Sequence, residues 1–378
     1  MTDNSKGTTG AKRASKSKAK MIIFAVEIFL ILIMLAILFL VMTMNSEGPK
    51  IIDLNMENLG INTGMQGNTN QGDTLTDETG VPDSGYMNIA LFGLDATTPN
   101  GLYKGSRSDS IMIASVNMDT GDIKLVSVYR DTYLNLGNDA YSKCNAAYAK
   151  GGAEQAIKML NMNLDLDIKK FVAVNYQSLI DLIDGLGGIY IDVDKTELKH
   201  INNYQITIDN DLKLGGHTDV TSTGYQLLNG LQATAYCRIR YINGGDFGRA
   251  SNQREVIKAI EEQAKKMAKE DPVALTKLFN KIVEEVHTSM KPEDLLKLVG
   301  NIGNYRIVDE GGFPEESMRT TGNIGATGSC VIPLDLESNV IWLHEFLFED
   351  EDYTPSSTVK ECGAKIKAET SPYLNKQS

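Results

Sequence analysis

The sequence predicts an α/β fold, a mixed central sheet sandwiched by helices, preceded by one transmembrane helix. Three observations predict it. Short apolar runs of strand length alternate with helical patterns between Tyr86 and Lys269, the order of an α/β domain with a mixed or parallel sheet. Met21–Met44 is a run of 24 residues in which only Glu27 and Thr43 are not apolar. Charge is divided between the two sides of that run. Residues 1–20 carry six cations and Asp3, a net of +5, which against the total of −12 leaves −17 on the other 358 residues.

As a helix, Met21–Met44 would be about 36 Å long, enough to cross a hydrocarbon core of about 30 Å. It exceeds the apolar stretch of about 7–15 residues in a signal peptide, and no small-residue cleavage site follows it, so it reads as an uncleaved anchor. The positive-inside rule keeps residues 1–20, a basic disordered tail, in the cytoplasm. The expectation is a single-pass cell-membrane protein with an extracellular body. Residues 45–85 are rich in Asn, Gly, Thr, Asp and Glu and read as a linker. Met87–Leu94, Ser110–Val116 and Ile123–Val128 read as strands, the last two joined by the turn Asp119-Thr-Gly-Asp122. Gly151-Gly152 precedes a helix, and Phe171–Asn175 and Gly188–Val193 are strands flanking a helix from Gln177 to Leu186. Tyr225–Ala235 and Ala250–Lys269 read as helices, which closes a domain at 86–269. Asp271-Pro272 starts another helix as cap and first-turn residue. Residues 270–378 read as a helical extension, from Pro292 another helix, and a small C-terminal unit with a flexible tail after 350. Cys330 and Cys362 lie in that unit, and a disulfide between them is expected outside a membrane; Cys144 and Cys237 read as buried thiols.

Composition and motifs exclude several classes. An acidic body lacks the footprint of a nucleic-acid binder. His200, His217, His287 and His344 show no nucleophile–base spacing, and no G-x-S-x-G elbow, Walker loop or zinc spacing occurs. The arginines are more informative. Of eight after residue 44, six fall between 107 and 254, in four compact polar motifs. These are Gly105-Ser-Arg-Ser-Asp-Ser110, Val128-Tyr-Arg-Asp-Thr132, Cys237-Arg-Ile-Arg-Tyr241 and Gly245-Asp-Phe-Gly-Arg-Ala-Ser-Asn-Gln-Arg254. Arg offers a planar fork suited to phosphate oxygens. If the strands after Arg107 and before Arg130 pair as a hairpin, both arginines meet at one sheet end. Taken singly, each is a surface ion pair with Asp109, Asp131 or Asp246. Taken together on an acidic domain, they form an anion site, with Asp95 and Asp109 as candidate ligands for a divalent metal.

The ordered set Gly93-Leu94-Asp95, Arg107-Ser-Asp109, Ser127–Asp131, Lys143–Tyr148 with Gly151-Gly152, Leu182–Gly188, Leu228–Arg240 and Gly245–Gln253 resembles the LytR-CpsA-Psr family over roughly residues 86–265. Tyr129 stands where that family often has Pro, and Cys144 where it often has Ile; neither change removes a charge. The resemblance implies a cell-wall glycopolymer ligase of the kind found mostly in Gram-positive bacteria. Such an enzyme transfers a teichoic acid, capsule or similar polymer from a polyprenyl diphosphate carrier to peptidoglycan. It further implies that Arg107, Arg130, Arg238, Arg240, Arg249 and Gln253 hold the diphosphate, and that Asp95 and Asp109 hold Mg²⁺ (or Mn²⁺). Asp246 is then either the base for the acceptor hydroxyl or an ion-pair partner. The polyprenyl tail needs an apolar tunnel between sheet and helices, for which Phe171, Val172, Val174, Leu179 and Ile183 are the candidates. A polyprenyl diphosphate pyrophosphatase and a non-catalytic, polyprenyl-phosphate-binding regulator stay open beside the ligase.

Overall fold

The computed structural model describes residues 50–62, 85–96, 105–240, 244–300 and 302–374. The tail and span expected within residues 1–44 lie outside them. Among the described residues no helix is long and apolar enough to cross a membrane.

In chain order the strands are β1 (Lys50–Ile51), β2 (Tyr86–Leu94), β3 (Ser108–Asn117), β4 (Asp122–Val128), β5 (Tyr133–Asn135), β6 (Tyr141–Lys143), β7 (Lys170–Val174), β8 (Ile189–Val193), β9 (Gly224–Leu228), β10 (His287–Thr288), β11 (Arg306–Phe313), β12 (Arg319–Ile324) and β13 (Gly328–Pro333). The helices are α1 (Ala146–Leu164), α2 (Tyr176–Gly185), α3 (Lys195–Leu212), α4 (Gly230–Tyr236), α5 (Asp246–Glu270), α6 (Pro272–Glu285), α7 (Pro292–Gly300), α8 (Leu336–Phe348) and α9 (Ser357–Leu374). Seven strands form one sheet in the order β1-β10-β7-β2-β3-β4-β11. It is mixed, as expected: β2–β3 and β3–β4 are antiparallel, β2–β7 and β4–β11 parallel.

The two-residue period of the strands divides the core. Ala90, Phe92, Leu94, Ile113 and Phe171 face one side, against α1, α8 and α9. Met87, Ile89, Leu91 and Val172 face the other, where Ile257 of α5, Val283 of α6 and Leu295 of α7 cover them. A ribbon of β8 and β9 packs with α2, α3 and α4 around a separate apolar cluster. Gly230 is needed there, since a Cβ would fall 2.3 Å from the Ile180 carbonyl oxygen.

Several boundaries differ from the sequence reading. Tyr225–Leu228 is strand, and the helix begins only at Gly230, capped by Asn229, whose side chain accepts from Gln232 N. The linker is not wholly detached: β1 pairs with β10, and Leu59 is fully buried. Up to residue 374 the C-terminal part is not a separate unit with a loose tail. β11 joins the central sheet beside β4, and α9 buries Val359, Cys362 and Ile366 in the main core. All four cysteines are free and buried, so the Cys330–Cys362 bridge is not formed. Cys330 Sγ lies 3.4 Å from the Gly328 carbonyl, while Cys362 Sγ accepts from Asn135 Nδ2 at 3.7 Å.

His344 of α8 lies fully buried, its Nε2 2.9 Å from the Leu164 carbonyl and its ring stacked 3.6 Å from that of Tyr353. Burial lowers its pKa below the ordinary 6.5. The unfolded chain therefore binds a proton there that the folded chain does not. This contribution is intact above about pH 6.5 and is lost as pH falls through that value toward the depressed one. Urea titrations from pH 7 to 5 are expected to show stability falling more steeply for the wild type than for His344→Phe; parallel curves would contradict the assignment.

Candidate active site at an arginine-lined cavity

The pairing of β2 with β3 runs to Gly93↔Ser110 and then slips, so that Leu94 faces Ser108. Asp109 is the extra residue, and such a bulge re-aims a side chain at the end of a strand pair. Arg130 follows β4, and the antiparallel β3–β4 pairing returns it to the same sheet end. Its Nη1 donates to Asp109 Oδ1 at 2.6 Å. Arg240, beyond α4, donates to Asp109 Oδ2 at 3.3 Å. Arg249, in the first turns of α5, donates from Nη2 to the Asp109 carbonyl at 3.2 Å and lies 2.8 Å from Asp246 Oδ1. Arg130 Nε is 3.4 Å from that same oxygen. Asp131 and Lys143 extend the network, with Lys143 Nζ 3.3 Å from Asp131 Oδ1. Hairpin register brings residues 109 and 130 together, and the segment after α4 with the first turns of α5 adds 240, 246 and 249 to the same cluster.

Burial works against the charge of Arg130, but Asp109 and Asp246 outweigh it, and the guanidinium pKa is raised. For Arg249 burial wins and the pKa is pulled down to about 10, which leaves it cationic at neutral pH. Arg238 is held differently. Its guanidinium carbon lies 4.8 Å from the Tyr176 ring centre and 5.4 Å from that of Tyr204, a cation–π grip from α2 and α3. Among the described residues four buried donors here, Arg130 Nε, Arg238 Nη1 and Arg249 Nε and Nη1, have no hydrogen-bond partner. Unpartnered buried donors are rare in folded proteins and call for a bound acceptor.

The cluster closes one end of a cavity of about 290 Å³. Asp109, Arg238, Arg240, Arg249 and Gln253, with Ser110, Asn175, Tyr176 and Thr234, supply its polar lining; Gln253 Nε2 also donates to the Cys237 carbonyl at 3.4 Å. The remaining wall is apolar: Leu91, Met112, Val172 and Val174 from the sheet, Leu179 and Leu182 from α2, Ile257 and Ile260 from α5. Of the five expected tunnel residues, Val172, Val174 and Leu179 line it. Phe171 does not, because its neighbour Val172 takes the cavity face and alternation sends Phe171 to the other side, 6.4 Å from Phe92. Ile183 is buried in the cluster around the β8–β9 ribbon.

Arg107 sits just before β3. Its carbonyl accepts from Asp95 N at 3.4 Å, but its side chain is exposed and makes no ion pair among the described residues. Asp95 is exposed at the same strand end. Among the described residues no group of three or more His, Cys, Asp or Glu could hold a metal ion. Sequence reasoning missed Tyr176 and Tyr204, which carry no charge, and the α5 wall, although Val256, Ile257 and Ile260 follow helical spacing on one face.

A family model, the LytR_cpsA_psr family, matches residues 57–324. The chain belongs to that family. Among the relatives of this LytR_cpsA_psr protein, biofilm regulatory protein A of Streptococcus mutans is 30% identical over 251 residues, covering 61% of this chain and 58% of its own. The polyisoprenyl-teichoic acid–peptidoglycan teichoic acid transferase TagU of Enterococcus faecalis is 34% identical over 176 residues, covering 46% and 52%. The chain thus spans a little over half the length of these curated relatives. The fold is that of YwtF (TagT) of Bacillus subtilis, solved with bound octaprenyl pyrophosphate lipid. The TM-score is 0.52 at 20% identity, covering 74% of this chain and 98% of that one.

Proposed function

We propose that the protein is a membrane-anchored phosphotransferase that attaches a glycopolymer, a teichoic acid, capsule or similar polysaccharide, from a polyprenyl diphosphate carrier to peptidoglycan outside the membrane. One observation carries this reading: an apolar cavity ends in buried guanidinium donors that have no partner. An isoprenoid tail fits the first part and a diphosphate the second. The transferase name of TagU and the lipid in the TagT structure support the same chemistry.

In this reading Arg130, Arg238, Arg240 and Arg249 hold the diphosphate, Gln253 adds a hydrogen bond, and exposed Arg107 meets the substrate from the rim. The acceptor sugar hydroxyl attacks the phosphorus next to the glycopolymer. A P–O bond to the acceptor forms, the P–O bond to polyprenyl phosphate breaks, and charge on the equatorial oxygens is met by the arginines. Both guanidinium contacts of Asp246 fall on Oδ1, and Oδ2 is the atom that takes the acceptor proton. Asp95 and Asp109, two carboxylates at one strand end, fit Mg²⁺ (or Mn²⁺), an ion that uses one or two carboxylates with substrate oxygens and water. When bound, it would supply further neutralisation of phosphate charge.

The test incubates the full chain in detergent with Mg²⁺, a polyprenyl-diphosphate-linked saccharide and a peptidoglycan oligomer. A saccharide–glycan phosphodiester is the expected product. Phosphate release without it would mean hydrolysis, and lipid binding without turnover would mean a binder. Val174→Phe, which places a ring where the tail would lie, is expected to raise KM for the lipid substrate about tenfold, since about 55 Å² of lost apolar contact is worth roughly 1.4 kcal/mol. An unchanged KM would place the tail elsewhere.

A further inference from the structure

Arg319 lies in β12, outside the charged motifs, yet it is packed against the residues beside two of the site's charged groups. Its guanidinium carbon stands 4.0 Å from the ring centre of Phe247 and 4.8 Å from that of Tyr129. The two rings meet edge to face at 4.6 Å and 84°. Arg319 Nη1 donates to Tyr129 Oη at 3.2 Å and to the Pro314 carbonyl at 3.1 Å. Only 11% of the side chain is exposed, and its ion-pair partner Glu316 is 4.0 Å away. Tyr129 is also pressed onto β11, where a Cβ on Gly312 would fall 2.0 Å from Tyr129 Oη. Tyr129 directly precedes Arg130, and Phe247 directly follows Asp246. The cation therefore ties the end of β4 to the first turn of α5, the two segments whose 3.4 Å contact between Arg130 Nε and Asp246 Oδ1 joins the site together.

We infer that Arg319 is a positioning residue for phosphoryl transfer: by clamping Tyr129 and Phe247 it fixes Arg130 against Asp246, and it touches no substrate. The inference rests on the transferase reading for its kinetic consequence alone. A desolvated cation over two rings is worth about 2 kcal/mol, enough to hold two segments in one register. A reacting group displaced by about 1 Å can cost roughly 10²-fold in rate. Loss of the clamp should thus reduce turnover and leave carrier binding, which belongs to the cavity, in place.

The experiment compares Arg319→Met, which keeps the stem and removes the charge, with Arg319→Lys, Phe247→Leu and the Met/Leu double variant. Arg319→Met is expected to lower kcat about tenfold with lipid KM within about twofold of wild type, and Arg319→Lys to recover part of the loss. In the Phe247→Leu background the same change is expected to cost little more, because the clamp is already gone. Additive losses, or a raised KM with kcat intact, would overturn the assignment. A second readout needs no turnover. The Arg130 Nε–Hε resonance is expected to be sharp in the wild type and broadened in Arg319→Met, with the circular dichroism spectrum unchanged. An unaltered resonance would overturn the positioning role whatever the kinetics. A wild-type protein that made no phosphodiester would defeat the transferase reading and leave this spectroscopic result to decide the clamp.

Discussion

Arg130→Ala is expected to lower kcat for polymer transfer about 10²-fold, the loss typical when one preorganised donor to transition-state charge is removed. The size follows from its place in the network. Arg130 touches Asp109 at 2.6 Å, Asp246 at 3.4 Å and Asp131 at 3.8 Å. Without it three carboxylates converge on the space that, in the transferase reading, receives a diphosphate, so the substrate would meet repulsion as well as a missing contact. Arg240→Ala is expected to lose roughly tenfold or more, and less than Arg130→Ala, because Arg240 is more exposed and pairs with Asp109 alone. Steady-state kinetics on both variants, with thermal melts to confirm folding, check the ranking. Near-normal rates in both would show that the phosphate binds elsewhere.

Asp165→Ala is expected to destabilise the fold by about 4 kcal/mol, a loss on the scale of a broken buried network. Asp165 is buried at the end of α1 and accepts from Tyr353 Oη at 2.5 Å, Ser356 N at 2.8 Å, Ser356 Oγ at 2.6 Å and Asn62 Nδ2. It joins α1 to the turn that leads into α9 and to the segment before β2. Its φ of 51° adds a backbone cost for alanine that Asn tolerates. Asp165→Asn should therefore recover part of the loss. Urea denaturation of the two variants separates these contributions, and a loss below about 1 kcal/mol in Asp165→Ala would show that the network contributes little.

Four strands of the central sheet, β2, β3, β4 and β7, were legible as short, mostly apolar runs, whereas β1, β10 and β11 were not. Hairpin register, a local property, correctly placed Arg107 and Arg130 at one sheet end, but it is Asp109, not Arg107, that Arg130 meets. What lay beyond the sequence was non-local or local in a misleading way. β11 pairs with β4 across 184 positions, from Asp122 to Arg306, and nothing in either segment names its partner. Arg319 reaches Tyr129 across 190 positions in the same manner. Tyr225–Leu228 imitates a helix start because its outward residues Tyr225 and Leu227 are apolar in a two-stranded ribbon, which hides the usual alternation. Arg107 has the right type and the right neighbours, but it lies just before β3 with its side chain exposed. Phe171 was misassigned because adjacent positions of one strand were both given to the tunnel, which the two-residue period forbids.

The alternation of β7 also bears on how such a protein can diverge. Val172 and Val174 meet the cavity, whereas Phe171 and Ala173 are sealed in the core on the other side of the sheet. Every second position of a five-residue strand can therefore change bulk to suit cavity occupants of different length or branching, with the load-carrying packing untouched. Selection on the ligand and selection on stability act on interleaved residues of the same strand, and the groove can be retuned one side chain at a time.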